Sequence, residues 1–159
     1  MLALDTSSII HGWDHYPQKQ FPKLWTWLGA EFTAGRFVIS KIVDDETKYR
    51  DGDCHNWLLS NSVQILPVTA EILTHALAIK AKLGIVHERD YKGGVGENDI
   101  IIVATCIEHA LELVTNEATQ TQFPQNPANC KIPAVCALPG VSVDCLNFRE
   151  LIIRSGQVF

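Results

Sequence analysis

Residues 96–106, GENDIIIVATC, place an acidic side chain at the mouth of an apolar helix. Asn98 is a good N-cap residue, and Asp99 then shares one helical face with Val103 and Cys106. A carboxylate in the first turn of a helix is stabilised by the helix dipole, and this effect alone accounts for Asp99. A functional role for Asp99 therefore requires partners from other parts of the chain.

Acidic residues also follow short apolar runs elsewhere in the chain. Asp5 comes directly after Met1–Leu4, whereas Asn116 and Glu117 come directly after Leu111–Thr115. Ligands of open α/β sheets bind outside the carboxyl ends of the strands, so we expect these side chains to converge there. Several carboxylates in one cleft repel one another, and hard divalent ions such as Mg²⁺ or Mn²⁺, which take oxygen ligands, relieve that repulsion.

The helix that follows the predicted strand at residues 36–40 carries three consecutive acids. Glu46 lies three and four residues after apolar positions, so it borders the apolar face of this helix, and this placement suits a site residue. Asp45 is its main competitor. Asp44 is expected to form an exposed ion pair with Lys48, four residues further along the helix.

In their order and spacing, these segments resemble a PIN domain, the fold of VapC-like ribonuclease toxins. The match consists of Asp5-Thr6-Ser7 after an N-terminal strand, Glu46 in the helix after the second strand, Asp99 opening a later helix, and residues 113–117, LVTNE, at a strand end. The resemblance covers most of the chain, from the first residues to the last helix. It rests on the combination of these motifs, because no single one of them is specific.

Two positions depart from the PIN pattern. Ser7 stands where the family commonly has Asn, and its hydroxyl can still donate and accept hydrogen bonds. The fourth acid is commonly Asp, whereas here the choice lies between Asn116 and Glu117, of which only Glu117 is charged. Residues 21–28, FPKLWTWL, followed by residues 35–37, GRF, resemble more narrowly a bacterial subfamily of uncharacterised PIN-like proteins.

Strands that alternate with helices predict a three-layer α/β/α sandwich with a mainly parallel central sheet, and the PIN resemblance implies the same fold. A hydrophobic content of 47% suits one PIN-like domain over residues 1–159. Towards the C-terminus, residues 118–131 predict a loop, residues 132–136 a further strand, and residues 141–143 an extended segment. A last helix is expected around residues 146–155.

Metal-assisted hydrolysis of phosphodiesters is the enzyme chemistry that best suits these residues, because the chain has no Ser-His-Asp spacing, activated cysteine or cofactor fingerprint. The resemblance implies that one or two Mg²⁺ or Mn²⁺ ions are held by four carboxylates: Asp5, Glu46, Asp99 and Glu117. It also implies that ligands or water are oriented by four neighbouring polar residues: Thr6, Ser7, Thr115 and Asn116.

The resemblance further implies an RNA substrate and a role as the toxin component of a bacterial toxin–antitoxin pair, held inactive by a cognate antitoxin protein. A homodimer is also expected, because many PIN proteins pair to form a shared groove. The alternative is a binding or scaffold protein that keeps the PIN fold with little nuclease activity. The weak fourth acid and the acidic overall charge favour this alternative, whereas Asp5, Glu46 and Asp99 argue against it.

The composition restricts the function without deciding it. The formal net charge of −5 argues against a generic nucleic-acid-binding protein, which is usually basic, but it does not exclude a nuclease with an acidic metal site. Five cysteines without a C-x-x-C pair, and the lack of a signal peptide, indicate reduced thiols in the cytoplasm. No apolar run approaches the roughly 18 residues of a membrane span.

The region just before residues 96–106 is the most basic part of the chain. Its four cations can guide a phosphate backbone toward the acids, although an ordinary solvated surface explains them equally well. The glycines of residues 93–96 predict a flexible approach to the site, because the Lys-Ser/Thr pair of a P-loop is missing. The candidate substrate-binding cations are Lys80, Lys82, Arg89 and Lys92.

Two histidines near the N-terminus have a spacing that can hold a metal ion. His11 and His15 lie four residues apart, which on a helix places both rings on one face. No third histidine or acid stands at a supporting spacing, and the pair alone is a weak motif. We therefore expect both histidines at the surface or facing a protein partner.

Overall fold

The computed structural model describes every residue from Met1 to Phe159. At its centre lies a five-stranded sheet in which all neighbouring strands are parallel. The predicted α/β/α sandwich is therefore confirmed, and its sheet is parallel throughout. The strands are β1 (Leu2–Leu4), β2 (Phe37–Ser40), β3 (Gln64–Leu66), β4 (Glu112–Val114) and β5 (Cys145–Leu146).

Eight α-helices connect and cover these strands. None of them combines the length and the apolar character that a helix needs to cross a lipid bilayer. The helices are α1 (Thr6–His15), α2 (Pro22–Thr33), α3 (Lys41–Arg50), α4 (Gly52–Ser60), α5 (Ala70–Leu83), α6 (Glu97–Glu108), α7 (Ile132–Cys136) and α8 (Phe148–Ser155).

The strand order, β3-β2-β1-β4-β5, shows that the sheet grows outward from β1 in two directions. The strands β2 and β3 lie on one side of β1, and β4 and β5 lie on the other. The junction of β1 and β4 is therefore the point where the strand order reverses, and ligands of open parallel sheets bind outside the carboxyl ends of the strands at such a point. Leu4 pairs with Val114 across this junction, which brings the residues that follow both strands to the same edge.

The stretch at residues 96–106 forms most of a helix whose central part is completely buried. Seven consecutive residues of α6, Ile100–Cys106, are buried, and α6 packs against the buried face of α5. Burial of each large aliphatic side chain contributes about 1.5–3 kcal/mol, so the packing of α6 fixes its position firmly. All five cysteines are free and four of them are buried, as expected for reduced thiols.

The predicted N-cap at Asn98 is wrong, because α6 begins at Glu97 and Gly96 is its N-cap residue. The Oδ2 atom of Asp99 accepts the backbone N–H of Gly96 at 2.7 Å. The carboxylate of Asp99 thus satisfies a donor that the helix itself leaves free. The side chain of Asn98 instead reaches Glu46 of α3.

The predicted strand at residues 132–136 is also wrong, since this segment is the short helix α7. Pro133 lies at the start of α7, where a missing N–H is harmless, whereas in an interior strand it would remove a hydrogen bond of the sheet. The predicted extended segment at residues 141–143 is interrupted at Ser142, which has a φ of +51°. The fifth strand lies further along the chain, at Cys145–Leu146, and pairs with β4.

The loop before α6 packs tightly at Gly94, although its glycines predict flexibility. A Cβ atom at Gly94 would lie 2.4 Å from the carbonyl oxygen of Cys130 and 2.5 Å from that of Ala128. Both are backbone atoms that cannot rotate away. We expect Gly94→Ala to lower the free energy of unfolding by about 1–3 kcal/mol, the usual effect of overpacking. Urea unfolding followed by circular dichroism measures this change.

The matched control for this prediction is Gly52→Ala, at the first residue of α4. A Cβ atom at Gly52 meets nothing within 4 Å, so we expect this variant to be neutral or slightly stabilising. Equal destabilisation by the two substitutions would contradict the close approach of Gly94 to the backbone of residues 128–130.

Candidate active site

Asp5 and Thr115 lie beside each other at the carboxyl ends of β1 and β4, where the strand order reverses. Asp5 is only 3% exposed, and its Oδ2 atom accepts hydrogen bonds from the hydroxyl of Ser7 at 2.6 Å and from that of Thr115 at 2.8 Å. Its Oδ1 atom accepts no hydrogen bond within the protein, yet this atom is not sealed from solvent. Asp5 therefore keeps one carboxylate oxygen for a ligand.

Ser7 links the residues that follow β1 and β4 through hydrogen bonds. Its Oγ atom donates to Asp5 and accepts the backbone N–H of Asn116 at 2.9 Å. The hydroxyl of Ser8 adds a second link, because it donates to the carbonyl oxygen of Val114 at 2.9 Å. These contacts between α1 and β4 fix the direction of the Asp5 side chain.

Asp99, in the first turn of α6, lines the same cleft as Asp5. Burial raises the pKa of Asp99, and the Gly96 N–H offsets this rise only in part. The charges of Glu117 and Glu46 raise the pKa further. The pKa of Asp5 is also raised, first by burial and then, against its two hydroxyl donors, by the charges of Asp99 and Glu46. Both shifts are typical of buried carboxylates that lie near other negative charges.

Glu46, on α3, is held by donors from two other helices. The hydroxyl of Thr6 donates to its Oε2 atom at 2.5 Å, and the side-chain amide of Asn98 donates to its Oε1 atom at 2.7 Å. Glu46 therefore connects α3 to the first turns of α1 and α6. These contacts orient the carboxylate at the rim of the cleft.

Asn116 and Glu117 both line the cleft, and each is anchored to the start of a helix. The Oδ1 atom of Asn116 accepts the backbone N–H of Phe148 at 2.9 Å. The Oε2 atom of Glu117 accepts the backbone N–H of Ile132 at 2.8 Å. Of the two residues, Glu117 is the one that adds a negative charge near Asp99.

The cleft has a volume of 780 Å³ and brings the four predicted acids together. Thr6, Ser7 and Asn116 also line it, whereas Thr115 lies buried beneath Asp5. Its remaining walls are formed by Ile10, His11, Asp14, His15, Tyr49 and Arg50.

A divalent cation fits the donor chemistry of this cleft. Carboxylate oxygens are the ligands that Mg²⁺ and Mn²⁺ prefer, and Asp5, Asp99 and Glu117 each retain one oxygen without a hydrogen bond. No three His, Cys, Asp or Glu side chains, however, lie close enough together to enclose a metal ion. The carboxylates would have to draw together around a bound ion, because uncompensated carboxylates repel one another.

Asp44 and Asp45 lie outside the cleft. The predicted exposed pair of Asp44 with Lys48 is wrong, because Asp44 is buried and its Oδ1 atom lies 2.8 Å from Nε2 of His55. Burial raises the pKa of Asp44, but hydrogen bonds from Lys41 and His55 outweigh it and give a net lowering. Asp45 is exposed and pairs with Lys41 at 2.7 Å. Glu46 is thus the only one of the three consecutive acids that reaches the cleft.

His11 and His15 border the cleft. His11 is half-buried, His15 is exposed, and their ring centroids lie 4.3 Å apart in a stacked arrangement. Ser7, His11 and His15 follow one another at four-residue spacing, so they share one face of α1. This spacing is the signal in the sequence that could have placed both histidines at the site.

Arg50 is a second residue of the cleft that the sequence analysis missed. It lies four residues after Glu46 on α3 and is the only Lys or Arg residue that lines the cleft. It is exposed and forms no ion pair. The four-residue spacing from Glu46 was the available signal, because residues at this separation are neighbours on a helix.

The four predicted substrate-binding cations do not line the cleft. Lys80 pairs with Glu97 at 2.8 Å, and Lys92 donates to the carbonyl oxygen of Arg89 at 3.1 Å. Lys80 and Lys92 line a separate pocket of 740 Å³ beside the start of α6. Lys82 and Arg89 are exposed at the surface. A role for these cations in guiding a phosphate backbone stays a prediction.

The fold and the acidic cleft together define a PIN-like α/β/α domain, which confirms the resemblance found in the sequence. The chain belongs to the family described as a domain of unknown function, DUF4411, whose model matches residues 2–159. No curated protein matches its sequence.

Three solved structures are similar to this chain in fold. VapBC from Salmonella typhimurium, bound to DNA, is 18% identical, with a TM-score of 0.56 over 92% of this chain and 97% of that chain. FitAcB from Neisseria gonorrhoeae is 18% identical, with a TM-score of 0.54 over 94% of this chain and 99% of that chain. VapBC2 from Rickettsia felis, bound to a promoter DNA fragment, is 20% identical, with a TM-score of 0.51 over 82% and 96%. At these identities the likeness concerns the fold alone.

Proposed function

We propose that this protein is a metal-dependent endoribonuclease that hydrolyses RNA phosphodiesters. The observation that carries the proposal is the gathering of Asp5, Glu46, Asp99 and Glu117 in one cleft at the reversal point of a parallel sheet. The raised pKa values of Asp5 and Asp99 support it, since strongly perturbed carboxyls in a cleft are candidates for a functional site. The PIN-like fold supports the proposal further by analogy.

The four carboxylates would hold one or two Mg²⁺ or Mn²⁺ ions. When bound, such an ion supplies Lewis acidity that lowers the pKa of water and stabilises negative charge on phosphoryl oxygens. Ser7 and Thr115 hold the Oδ2 atom of Asp5, which leaves Oδ1 for the cation. Thr6 and Asn98 hold the two carboxylate oxygens of Glu46. Contacts of this kind orient metal ligands and typically change metal affinity or activity by about 10–100-fold.

The rim of the cleft carries the kinds of side chain that bind single-stranded RNA. Proteins bind single-stranded nucleic acid with aromatic rings that stack on bases and with cations that contact phosphates. Tyr49 is 96% exposed at this rim, and His11 and His15 add two further rings. Arg50 provides an unpaired positive charge beside the acids. A strand that crosses the cleft would meet both kinds of contact next to the proposed cations.

We further propose that the chain is the toxin component of a bacterial toxin–antitoxin pair, with a cognate antitoxin as its protein partner. The support is the PIN resemblance of the sequence, which implies such a pair, together with the fold that the chain shares with the VapBC and FitAcB structures. A homodimer is the second proposed assembly. Leu73 and Leu77 lie one turn apart on α5 and are 46% and 65% exposed, which suits a contact with another protein chain.

A binding or scaffold protein with little nuclease activity is the alternative. One observation favours it: no three carboxylates are close enough to enclose a metal ion, and both oxygens of Glu46 already accept hydrogen bonds. Each carboxylate oxygen has a second lone pair, however, so these hydrogen bonds do not prevent metal binding. The two functions differ in whether Mn²⁺ elicits cleavage of RNA.

The proposed function is tested by cleavage of an end-labelled RNA pool with Mn²⁺, with EDTA and with a Glu46→Gln variant. We expect cleavage with Mn²⁺ and none with EDTA. Glu46→Gln should lower kcat/KM by about 10²-fold, or about 2.7 kcal/mol of transition-state stabilisation, because it removes a charge that the cation requires.

The control for Glu46→Gln is Asp45→Asn, which removes the same charge one residue away on the exposed face of α3. We expect Asp45→Asn to stay within about twofold of the wild type, as is usual for surface changes away from a site. If folded wild-type protein with Mn²⁺ leaves every RNA intact, the scaffold alternative is favoured. Equal losses in both variants would mean that only the overall charge of α3 matters.

A further inference from the structure

A second cavity, of 410 Å³, lies beside the acidic cleft and is called here the flanking pocket. It shares His11, Asn116 and Glu117 with the cleft, so the two are adjacent parts of one depression. Its volume lies within the range of about 300–1,000 Å³ that is usual for small-molecule sites. Besides the shared residues, its walls include Tyr16, Thr119, Leu146, Asn147 and Arg149.

One wall of the flanking pocket is aromatic. The ring of His11 packs edge-on against Tyr16, with centroids 6.3 Å apart, and against Phe148, with centroids 6.1 Å apart. Tyr16 in turn packs against Phe148 and Phe21 at 5.5 and 5.3 Å, so its ring is also fixed. Burial lowers the pKa of His11, His15 lowers it further, and Asp14 offsets these effects only in part, so the neutral ring is favoured. His15 stacks on one face of His11, which leaves the opposite face of His11 and the ring of Tyr16 to stack on a nucleobase.

The flanking pocket also offers polar groups without partners. The Oδ1 atom of Asn116 accepts the Phe148 N–H, whereas its Nδ2 atom has no hydrogen bond within the protein. The Oδ1 atom of Asn147 accepts the Glu150 N–H, and its Nδ2 atom is likewise free. Arg149 is exposed and forms no ion pair. Free amide and guanidinium donors match the acceptor atoms on base edges and phosphates.

We propose that the flanking pocket binds the nucleobase next to the phosphodiester that is cleaved, with His11 and Tyr16 as the stacking platform and Arg149 as a phosphate contact. The inference rests on the proposed nuclease function and assigns to this pocket the choice of base at the cut site. The position of the flanking pocket beside the acids indicates which part of the substrate it binds. Since Asn116 and Glu117 line both cavities, a nucleotide whose phosphate lies at the acids can place its base beside the aromatic wall.

The test is direct binding of mononucleotides in the presence of Mg²⁺, because these ligands contain no phosphodiester to be cleaved and the cation offsets the repulsion between their phosphate and the carboxylates. The four 5′-mononucleotides and ribose 5-phosphate are titrated into the full chain while amide ¹H–¹⁵N spectra are recorded. We expect at least one nucleotide to bind about tenfold more tightly than ribose 5-phosphate, as a single stacked base allows. The shifted amides should cluster in residues 11–16 and 146–150. Equal binding of ribose 5-phosphate and all four nucleotides overturns the inference, and so does the absence of binding by all of them.

Two variants separate the roles within the pocket. His11→Leu keeps apolar packing against Tyr16 but removes the ring, so the preference for nucleotides over ribose 5-phosphate should fall to about twofold or less. Arg149→Met, at an exposed position that the fold does not need, should weaken nucleotides and ribose 5-phosphate by the same factor. His109→Leu is the matched control, because His109 is exposed at the end of α6 and makes no side-chain hydrogen bond.

Cleavage of a mixed RNA pool distinguishes this inference from the proposed function. The base enriched at the wild-type cut site should match the tightest mononucleotide, and His11→Leu should broaden that preference. Base-selective binding without any RNA cleavage would remove the nuclease proposal and leave the pocket as a nucleotide site. RNA cleavage by a protein that binds ribose 5-phosphate as well as every nucleotide would remove the pocket and leave the nuclease.

Discussion

Asp99→Asn is expected to lower kcat/KM for RNA cleavage by about 10³-fold or more, the equivalent of about 4 kcal/mol of transition-state stabilisation. The loss follows because an amide keeps the shape of the side chain but lacks the negative charge that hard divalent ions favour in their ligands. Single-turnover cleavage of an end-labelled RNA with saturating Mn²⁺ measures the change. The position of Asp99 in the cleft, beside Asp5 and Glu46, is the reason to expect so large an effect.

The same substitution should stabilise the protein near neutral pH. Burial and the charges of Glu117 and Glu46 raise the pKa of Asp99, so its ionised form weakens the fold. Asn removes the charge and still accepts the N–H of Gly96. We expect the free energy of unfolding to rise by about 0.5–2 kcal/mol.

The pH dependence of this gain has a defined sign. A carboxyl with a raised folded pKa contributes stability that is fully present below its unfolded pKa, about 3.9 for Asp, and that is lost as the pH rises through the folded pKa. The advantage of Asp99→Asn should therefore be full near neutral pH and disappear in acid. Urea unfolding at a series of pH values measures it.

Asp53→Asn is the control for both effects of Asp99→Asn. Asp53 is an exposed acid in the first turn of α4, so it has the helix-dipole role without the cleft. Its replacement should lower stability by about 0.3–1 kcal/mol and leave cleavage unchanged. If Asp99→Asn behaves in the same way, Asp99 is only a helix-start acid and the proposed site loses its central residue.

The position of Asp99 was predictable because residues 100–106 leave few alternatives to a buried helix. The N-cap was not predictable from residue preference. Asn98 has the right chemistry for a cap, but α6 begins at Glu97, so Asp99 accepts the N–H of the N-cap residue Gly96 and Asn98 is free to bind Glu46. The local sequence allows an N-cap at either Asn98 or Gly96. The contact of Asn98 with the distant helix α3 selects Gly96.

The segment at residues 132–136 shows a different limit. Five residues are too few for hydrophobic periodicity to distinguish a strand from a helix. Pro133 was the decisive signal, since it suits the first turn of a helix and is unsuitable in an interior strand. The sheet instead uses Cys145–Leu146, whose two residues are too short a strand for any pattern to reveal.

The candidate acids could be named from the sequence because each follows a predicted strand, opens a helix or borders an apolar face. Asp44 was misplaced, since its partner His55 lies on the next helix and no pattern within α3 indicates it. His11 was not predicted to lie at the site, although its four-residue spacing from Ser7 was visible in the sequence. Spacing within an element was therefore informative, whereas pairing between elements required the structure.

Mg²⁺ and Mn²⁺ are expected to raise the melting temperature of the wild-type protein, and Asp5→Asn is expected to abolish this effect. An ion that binds only the folded state stabilises it by about 2.7 kcal/mol at one hundred times its dissociation constant. For a chain of this length the shift amounts to roughly 5–10 °C. Thermal unfolding without RNA, after EDTA treatment and with increasing ion concentration, measures it independently of activity.

Asp5→Asn should remove the ion without disturbing the fold. The amide oxygen of Asn can accept the hydroxyls of Ser7 and Thr115 that now bind Oδ2. The NH₂ group then occupies the position of the free Oδ1 atom, where it repels a cation. The control is Asp14→Asn, which removes the same charge from an exposed residue of the same cleft and should keep the metal effect.

The metal effect should also shrink as the pH falls. A proton competes with the cation for the carboxylate, and burial raises the pKa of Asp5 above its ordinary value. The ion-induced shift in melting temperature should therefore be largest near neutral pH and vanish once Asp5 is protonated. An equal shift in the wild type and in Asp5→Asn would place the cation elsewhere. If no ion shifts the melting temperature at any pH, the four carboxylates do not draw together around a metal, and the binding or scaffold function becomes the better explanation of the cleft.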